Sequence, residues 1–495
     1  MSDPTTAATS KYPQGLTALA MTEMWERFSY YGMRSILVLY MTAAVMDGGI
    51  GLDDASATAI YGIYIGAVFV FSIPGGWIAD RYIGARLSVV IGGALLCLGN
   101  VAVALGRPEA FYLGLLLSVL GVGLLKPNVS VLVGRLYDGR SDSSRDSGFM
   151  MFYLAINVGA FLAPMFIGTV GEKFSWRAGY LLAAALMLVG IAQFCIRFGI
   201  LDPVERVRGR TPAAAWTLVL LATAGTMAVA WALVAAVARL ASHISVPLVT
   251  QGLGVAICLL CCASFARVYF DRGLGGEERA RLRALGILFL AIAVFVTGYE
   301  LAGSTFSLFA RDHVDRSLLG GLFADGSHPA SWYQAVGPIL IIALSPVLSW
   351  LWRYLGNRER DLSVAQKFGL GLVLVAAGFL VMSAASWLVV NHQQRVAPTW
   401  LLLTYLLHTL GELCVSPIGL SAVTRLTPQR FVGQMMGIWF GGVALGNLLS
   451  GLLAGLLGSA SLANAPTRFL MIASMDVVAG VVLFALSRKI STMMR

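Results

Sequence analysis

The chain has 495 residues, of which 58% are hydrophobic and only 12% are charged, whereas a soluble domain carries about 25% charged residues. Continuous apolar stretches of about 20 residues, the length that crosses a bilayer, recur along the sequence, and their lack of alternation argues against a membrane barrel. The net charge of +10 could suggest nucleic-acid binding, but most lysines and arginines fall in segments predicted to be cytoplasmic. These features predict an all-α integral membrane protein that does not bind nucleic acid.

The apolar stretches predict two sets of six membrane helices. The first set covers residues 16–45, 55–79, 87–106, 110–134, 147–170 and 177–199. The second set covers residues 284–309, 331–353, 366–389, 398–423, 432–457 and 467–487. Between the sets, the apolar segments 212–239 and 245–269 predict an inserted hairpin that supports packing or folding. We therefore expect an N-terminal six-helix bundle at 1–200, a linker with the hairpin at 201–283, and a C-terminal six-helix bundle at 284–495.

The distribution of charge also predicts the orientation of the chain in the membrane. The loop at residues 46–54 contains no lysine or arginine and is predicted to lie outside the cell. Both chain termini are then predicted to lie in the cytoplasm. Residues 1–15 are polar and the first apolar run is long and charged, so no cleaved signal peptide is predicted. The expected location is the cytoplasmic (inner) membrane.

Two features repeat between the sets of helices. The loop after helix two contains Arg81-Tyr-Ile-Gly-Ala-Arg86, and the loop after helix eight contains Arg353-Tyr-Leu-Gly-Asn-Arg358. Charged residues within the membrane occur on helices one, four, seven and ten, the first helices of four three-helix units. Both patterns resemble the major facilitator architecture of two parallel six-helix repeats. In that architecture Asp80, Arg81 and Arg86 are predicted to clamp the cytoplasmic helix ends; the alternative is that they only set the topology.

Helix one carries four ionisable side chains in a segment that should lie in lipid, namely Glu23, Glu26, Arg27 and Arg34. With about 100° between successive residues, these four and Tyr30 share one stripe of the helix. Each ionised group costs roughly 2.5–3.5 kcal/mol at the bilayer centre. The stripe is therefore expected to face a wet or ion-paired interior, where the function should lie.

Helices four and ten each place an ionisable residue next to a proline that bends the helix. Lys126 precedes Pro127, and Glu412 lies one turn before Ser416 and Pro417. Lys126 and Glu412 have opposite charges on equivalent helices, which favours a salt bridge that closes the central cavity. The alternative is that each residue pairs only within its own half of the chain.

Five ordered motifs carry a more specific resemblance. Helices one and four contribute Glu23-x-x-Glu26-Arg27-Phe28-x-Tyr30-Tyr31-Gly32 and Gly-x-Gly-x-x-Lys126-Pro-Asn-Val-Ser. Helices five, ten and eleven contribute Phe152-Tyr153-Leu-Ala-Ile-Asn157-Val-Gly159-Ala, Gly411-Glu412-Leu-x-x-Ser416-Pro-x-Gly-Leu and Met436-Gly-Ile-Trp439-Phe440 with Gly446-Asn447. Over nearly the whole chain the sequence resembles the proton-dependent oligopeptide transporter family, whose bacterial members usually have the inserted hairpin. The resemblance implies a major facilitator fold with 12+2 transmembrane helices, and symport of di- and tripeptides with protons into the cell by alternating access.

The resemblance also implies a role for individual residues. The implied proton-coupling set is Glu23, Glu26, Arg27 and Glu300. The implied substrate-binding set is Tyr30, Tyr31, Arg34, Lys126, Asn157, Glu412, Ser416 and Trp439. The implied outer gate pairs Arg34 with Glu300, and the implied inner gate pairs Lys126 with Glu412. The carboxylate of a peptide would bind Arg34 and Lys126, and its amine would bind Glu412.

Four positions depart from the usual family pattern. Phe69 stands where the family has a tyrosine, and Val296 and Leu301 replace the usual tryptophan and glutamine around Glu300. Gly337 replaces the usual asparagine before the helix-eight proline. These changes predict a less polar and less aromatic pocket in the second half and a changed substrate range, while proton coupling stays intact.

The expected partners are small peptides, peptidomimetic drugs and the lipid bilayer, with a monomer as the working unit. Protons are the expected coupling ion, and no metal or other cofactor is predicted, because the Cys258-Leu-Leu-Cys261-Cys262 run has no His or acid nearby. His408 is predicted to pack or to form a hydrogen bond near Glu412. The alternative within transport is a facilitator for another small anionic or zwitterionic solute. An enzyme is not expected: one acting on lipid-linked substrates would place metal-binding acids at the interface, and a channel would repeat one pore motif.

Overall fold

The computed structural model describes residues 13–138, 142–204, 246–358, 361–458 and 462–494. The first helices are α1 (Leu16–Thr42), α2 (Asp54–Ile78), α3 (Ala85–Ala104), α4 (Pro108–Leu136), α5 (Asp142–Ala163), α6 (Thr169–Lys173) and α7 (Trp176–Ile196). The later helices are α8 (Val246–Tyr269), α9 (Gly276–Tyr299), α10 (Thr305–His313), α11 (Val336–Asn357), α12 (Val364–His392), α13 (Thr399–Leu426), α14 (Val432–Gly458) and α15 (Ala465–Met494). Within the described residues, eleven helical spans are long and apolar enough to cross a membrane. The chain is therefore a multi-pass, all-α membrane protein, as predicted.

Each of the twelve predicted membrane segments coincides with a helix or with two consecutive helices. The predicted segment 16–45 is α1, which is long enough to span a membrane but carries the four ionisable residues noted above. The second hairpin segment, 245–269, coincides with α8. The first hairpin segment, 212–239, lies outside the described residues, so the count of fourteen helices stays a prediction.

Two of the predicted helices are interrupted rather than continuous. A π-helical turn, Pro164–Gly168, separates α5 from α6. A 3-10 turn, Glu300–Gly303, separates α9 from α10 within the predicted segment 284–309. The second interruption begins at Glu300, an ionisable residue that is predicted to take part in proton coupling.

Helix starts follow from local sequence. The α2 helix begins after Asp53, whose Oδ1 accepts a hydrogen bond from the Ser56 backbone nitrogen at 2.9 Å, as an N-cap residue does. The α12 helix begins with a capping box, in which Ser363 and Gln366 each bond the other's backbone nitrogen. Gly84, with a φ of 81°, allows the turn before α3 because glycine tolerates positive φ.

The described helices pack into two compact units. The first unit contains α1 up to Met33 and the helices from Phe71 of α2 to α7. In it, a Cβ on Gly92 of α3 would lie only 2.6 Å from the Gly121 carbonyl oxygen of α4, so small residues let the two backbones approach closely.

The second unit contains residues 34–70, which include the later part of α1 and most of α2, together with α8 to α15. Here a Cβ on Gly62 of α2 would lie 2.8 Å from the Gly451 Cα of α14. Glycine therefore permits close packing of α2 against a helix from the second half of the sequence. The predicted division of the chain at residues 200 and 284 stays a prediction.

Candidate proton and substrate site

Two acids and an arginine of α1 form a buried ion cluster. Glu23, Glu26 and Arg27 are each no more than 2% exposed. Arg27 Nε lies 3.1 Å from Glu23 Oε1, because residues four apart lie on one face of a helix. The same guanidinium forms an ion pair with Glu26. Two carboxylates therefore share one guanidinium in a site that is closed to solvent.

Lys126 adds a second cation to this cluster from α4. Pro127 lies inside α4 and removes one backbone hydrogen bond of the helix. The Lys126 ammonium, which is half-buried, interacts electrostatically with the carboxylates of both Glu23 and Glu26. The structure thus brings together four of the sequence-predicted site residues within the first compact unit.

Two aromatic rings lie close to the guanidinium of Arg27. The Arg27 guanidinium carbon lies 5.3 Å from the Tyr30 ring centroid and 5.8 Å from that of Tyr31, which is within cation–π range. The two phenol rings meet edge to face, with centroids 5.3 Å apart. Asn157 of α5 is also buried, and its Nδ2 donates a hydrogen bond to the Tyr153 carbonyl oxygen at 2.9 Å.

A second cluster forms around Arg34, which belongs to the other compact unit. Arg34 Nη2 forms an ion pair with Glu300, and Arg34 Nε donates a hydrogen bond to the Tyr61 hydroxyl at 2.5 Å. Both charged side chains are 12% exposed, so water screens the pair only weakly. A Cβ on Gly303 would overlap the Tyr61 hydroxyl. The space for this cluster therefore depends on a glycine in the turn that begins with Glu300.

Two further polar contacts hold this part of α1. Gln334 Nε2, from the 3-10 turn before α11, donates to the Ser35 carbonyl oxygen at 3.1 Å and to Ser307 Oγ at 2.9 Å. Arg311 Nη1 of α10 donates to Thr42 Oγ1 at 2.7 Å. Three points along α1, at residues 34, 35 and 42, are thus bonded to the segment from Glu300 to Gln334.

Glu412 of α13 has a phenol as its partner. The Tyr299 hydroxyl donates a hydrogen bond to Glu412 Oε2. His408, one turn earlier, packs its ring 5.0 Å from Phe379 and 5.6 Å from Phe306, in the packing position predicted for it. Ser416, one turn later, is half-buried. Lys126 belongs to the first compact unit and Glu412 to the second, and their predicted pairing stays a prediction.

Trp439 of α14 is fixed among apolar side chains. It is 2% exposed, and its ring lies 5.8 Å from Phe289 and 6.3 Å from Phe368, centroid to centroid. A Cβ on Gly419 would overlap the indole, so a glycine of α13 makes room for the ring. Its predicted contact with substrate stays a prediction.

Two of the predicted clamp residues bond to neighbouring segments in the first compact unit. Arg135 Nη2, at the end of α4, lies 3.4 Å from Asp80 Oδ1. Arg86 Nη1 donates to the Phe198 carbonyl oxygen at 3.1 Å, and its guanidinium lies 4.4 Å from the Phe198 ring. The side chain of Arg81 lies outside the described part of the structure. Asp80 thus connects the π-helical turn after α2 to α4, and Arg86 connects α3 to the segment around Phe198.

Several partners in these clusters were missed by sequence reasoning, namely Tyr61, Tyr299, Gln334, Arg311 and Arg135. Tyr299 had a detectable signal, because it directly precedes an acid at membrane depth. The others are a phenol and an amide without charge, or arginines near helix ends that resemble ordinary topology signals.

Comparison with known proteins identifies the family. The sequence model of the POT family matches residues 86–470 of this chain. The peptide transporter YePEPT of Yersinia enterocolitica is 35% identical over 487 residues, which cover 96% of this chain and 94% of the relative. The chain belongs to the POT family. A second relative, a di-/tripeptide transporter of Lactococcus lactis subsp. cremoris, is 36% identical over 443 residues, which cover 86% of each chain.

The structural comparison agrees with this assignment. A crystal structure of a POT peptide transporter in complex with alafosfalin matches with a TM-score of 0.85 at 36% identity, and covers 98% of this chain and 96% of that one. The predicted family and the predicted major facilitator fold are therefore confirmed for this POT protein.

Three of the four positions that depart from the POT pattern carry apolar side chains, and the fourth is a glycine. Phe69 stacks on Phe440, with centroids 6.3 Å apart. Leu301 is fully buried and Val296 is 7% exposed. A Cβ on Gly337 would lie 3.9 Å from Thr409 Oγ1, so this site has room for a side chain. The predicted change in substrate range stays a prediction.

Proposed function

We propose that this POT transporter carries di- and tripeptides into the cell together with protons by alternating access. The names of its relatives, a peptide transporter and a di-/tripeptide transporter, support the substrate class. The observation that carries proton coupling is the buried cluster in which Glu23 and Glu26 share Arg27. One carboxylate can take up a proton while the other keeps the guanidinium paired, so no buried charge is left without a partner.

Peptide recognition would use opposite charges for the two ends of the zwitterion. Glu412 would bind the amine, because a carboxylate accepts several hydrogen bonds and Tyr299 occupies only one oxygen. Lys126 and Arg34 would bind the peptide carboxylate, and Asn157 the backbone. The remaining residues of the predicted binding set, which would line side-chain pockets, are Tyr30, Tyr31, Ser416 and Trp439.

The Arg34–Glu300 pair would act as the outer gate. Protonation of Glu300 would remove its charge and weaken the pair, while the Tyr61 hydroxyl could still accept a bond from Arg34. Lys126 and Glu412 would form the inner gate. Because a ligand shifts a conformational equilibrium only through different contacts in the two states, a peptide bound at Lys126 and Glu412 would favour opening of that gate.

The proposed setting is the cytoplasmic membrane, with both termini in the cytoplasm and one copy of the chain as the transporting unit. Protons would be the coupling ion, without a metal or other cofactor. Peptidomimetics are a further substrate class, supported by the alafosfalin complex of a relative.

Uptake of labelled dialanine into proteoliposomes tests the function, with and without an inward proton gradient. We expect accumulation only with the gradient, and competition by alafosfalin. Glu26→Gln should abolish accumulation but retain exchange of peptide across the membrane, because the glutamine cannot release a proton.

The matched control is Asp315→Asn, which removes one exposed acid in an outer loop. Hydrogen bonds from the side chain and backbone of Ser317 lower the pKa of Asp315, so this acid stays ionised at transport pH. The control should transport normally. Accumulation of peptide by Glu26→Gln would refute the coupling role, and gradient-independent uptake by the unaltered protein would refute the symport.

A further inference from the structure

Asp476, a buried acid of the second compact unit, differs from the acids discussed above in its polar contacts. Asp476 lies in the middle of α15 and is 0% exposed. Neither of its carboxyl oxygens has a hydrogen-bond partner among the described residues. The other acids at membrane depth have partners: Arg27 for Glu23 and Glu26, Arg34 for Glu300, and Tyr299 for Glu412.

The carboxyl group of Asp476 fits a notch in α9. A Cβ on Gly298 would lie 3.0 Å from Asp476 Oδ2, 3.0 Å from Phe379 Cε2 and 3.1 Å from Val375 Cγ1. The absence of a side chain at Gly298 therefore leaves the space that the carboxyl group occupies. Phe379 and Val375, both of α12, make the rest of this environment apolar.

Among the described residues, no ion pair compensates for an ionised carboxylate at Asp476. The two long helices that pack against α15 are α9 and α12. Beyond the charged first two turns of α9, their ionisable residues are Tyr299 of α9 and Lys367 and His392 of α12, and α15 itself carries Arg468, Arg488 and Lys489. Among the described residues none of them forms an ion pair with Asp476. An isolated carboxylate in an apolar site neutralises itself by binding a proton, and an acid within a membrane segment indicates a functional site.

The position of the notch links Asp476 to the outer gate. Gly298 lies in the last turn of α9, just before the 3-10 turn that begins at Glu300. Because neighbouring residues of a helix move together, opening of the Arg34–Glu300 pair would also move Gly298 away from Asp476. Water could then reach the carboxyl group and accept its proton.

We propose that Asp476 is a proton-binding site linked to the outer gate, protonated while Gly298 packs against it and deprotonated when the end of α9 withdraws. This inference rests on the proposed proton-coupled transport. The chemistry is one O–H bond broken when water on the outer side accepts the proton, and the same bond formed again with a proton from that side when the notch closes. The proton returns to the side it came from, so Asp476 makes the outer gate sensitive to pH without adding a proton to the symport. No other group is oxidised, reduced or modified.

The test is the initial rate of dialanine uptake into proteoliposomes, measured as a function of the outer pH at a fixed inner pH and without a membrane potential. Asp476→Asn keeps the size and polarity of the protonated side chain but cannot release a proton. We expect it to retain peptide exchange and proton-driven accumulation but to lose part of the dependence of uptake on the outer pH, with Asp315→Asn as the unaffected control.

A second variant leaves every ionisable group in place. Gly298→Ala would put a methyl group into the notch, and we expect it to displace the Asp476 carboxyl group and to shift the pH dependence of uptake. This measurement decides the question if Asp476→Asn does not fold.

The outcomes separate this inference from the proposed function. A wild-type dependence on the outer pH in Asp476→Asn would show that the acid is merely structural and would overturn the inference alone. An unchanged pH profile in Gly298→Ala would do the same. Absence of proton-driven uptake by the unaltered protein would refute the proposed function, and this inference with it.

Discussion

The proposed outer gate can be tested without changing any charged residue, through Gly303→Ala. Gly303 is buried in the turn that begins at Glu300. A Cβ there would overlap the Tyr61 hydroxyl and would lie 3.2 Å from Arg34 Nη2. The added methyl group must therefore displace Tyr61, Arg34 or both. We expect it to weaken the cluster and to shift the protein toward the state that is open on the outer side.

The size of this conformational shift follows from the hydrogen bond between Arg34 and Tyr61 that the added methyl group would disrupt. A hydrogen bond to a charged group contributes roughly 1.5–3 kcal/mol, which corresponds to about a 10- to 150-fold change in an equilibrium constant. The ion-paired side chains of Arg34 and Glu300 are only 12% exposed, so solvent does not reduce this figure as much as it does at a surface. The loss of the Arg34–Tyr61 bond alone would thus change the ratio of open to closed protein at least tenfold.

Distances between spin labels at Met46 and Leu318 provide the assay. Both positions are highly exposed, at 98% and 81%, and lie in loops of the second compact unit. Gly321→Ala is the matched control, since a Cβ there meets nothing within 4 Å. A distance distribution in Gly303→Ala that matches the control would refute the role of this cluster as a gate.

Three smaller changes test individual contacts. Tyr299→Phe removes the hydrogen bond to Glu412 and should weaken competition by dialanine by at most the roughly 1.5–3 kcal/mol of such a bond. Competition by N-acetyl-dialanine should change little. Equal effects on both competitors would argue against Glu412 as the amine site. Asp53→Ala removes an N-cap and should lower the stability of α2 by about 0.5–2 kcal/mol. Hydrogen bonds from Ser56 lower the pKa of Asp53. The contribution of Asp53 to stability is therefore present above the ordinary pKa of about 3.9 and is lost as the pH falls through the lowered pKa. Melting curves of the variant and the unaltered protein that differ equally at neutral and acidic pH would contradict this. Arg135→Gln breaks the contact with the exposed Asp80 and should change stability by less than about 1 kcal/mol, measurably at low salt and not at high salt.

The sequence predicts the charged parts of these clusters better than the uncharged parts. Glu23 and Arg27 could be paired in advance because helical spacing puts residues four apart on one face. The pairing of Arg34 with Glu300 was implied by the family resemblance, and it agrees with the need of an ion for a partner within lipid. Tyr61 and Gln334 could not be found this way, since neutral polar groups impose no comparable demand for a partner.

The interruption of the predicted helix at Glu300 was also beyond sequence reasoning. The segment 284–309 is apolar, and a single glycine such as Gly303 is tolerated within a helix. Only the packing of Tyr61 and Arg34 against Gly303 shows why the backbone has no side chain there. Hydropathy identifies where a helix lies, whereas its breaks depend on the helices it contacts.

The charge pattern of α1 gives a physical reason why proton binding and gating can be coupled in this chain. Arg27, the partner of the two acids, and Arg34, the partner of Glu300, lie about two turns apart on one continuous helix, or roughly 10 Å along its axis. A helix transmits axial shifts and rotations because its backbone hydrogen bonds resist local distortion. Protonation of Glu23 or Glu26 changes the forces on Arg27, so any movement of α1 that relieves them also acts on Arg34. The coupling would then require no chain of side chains between the two clusters, since the helix itself connects them.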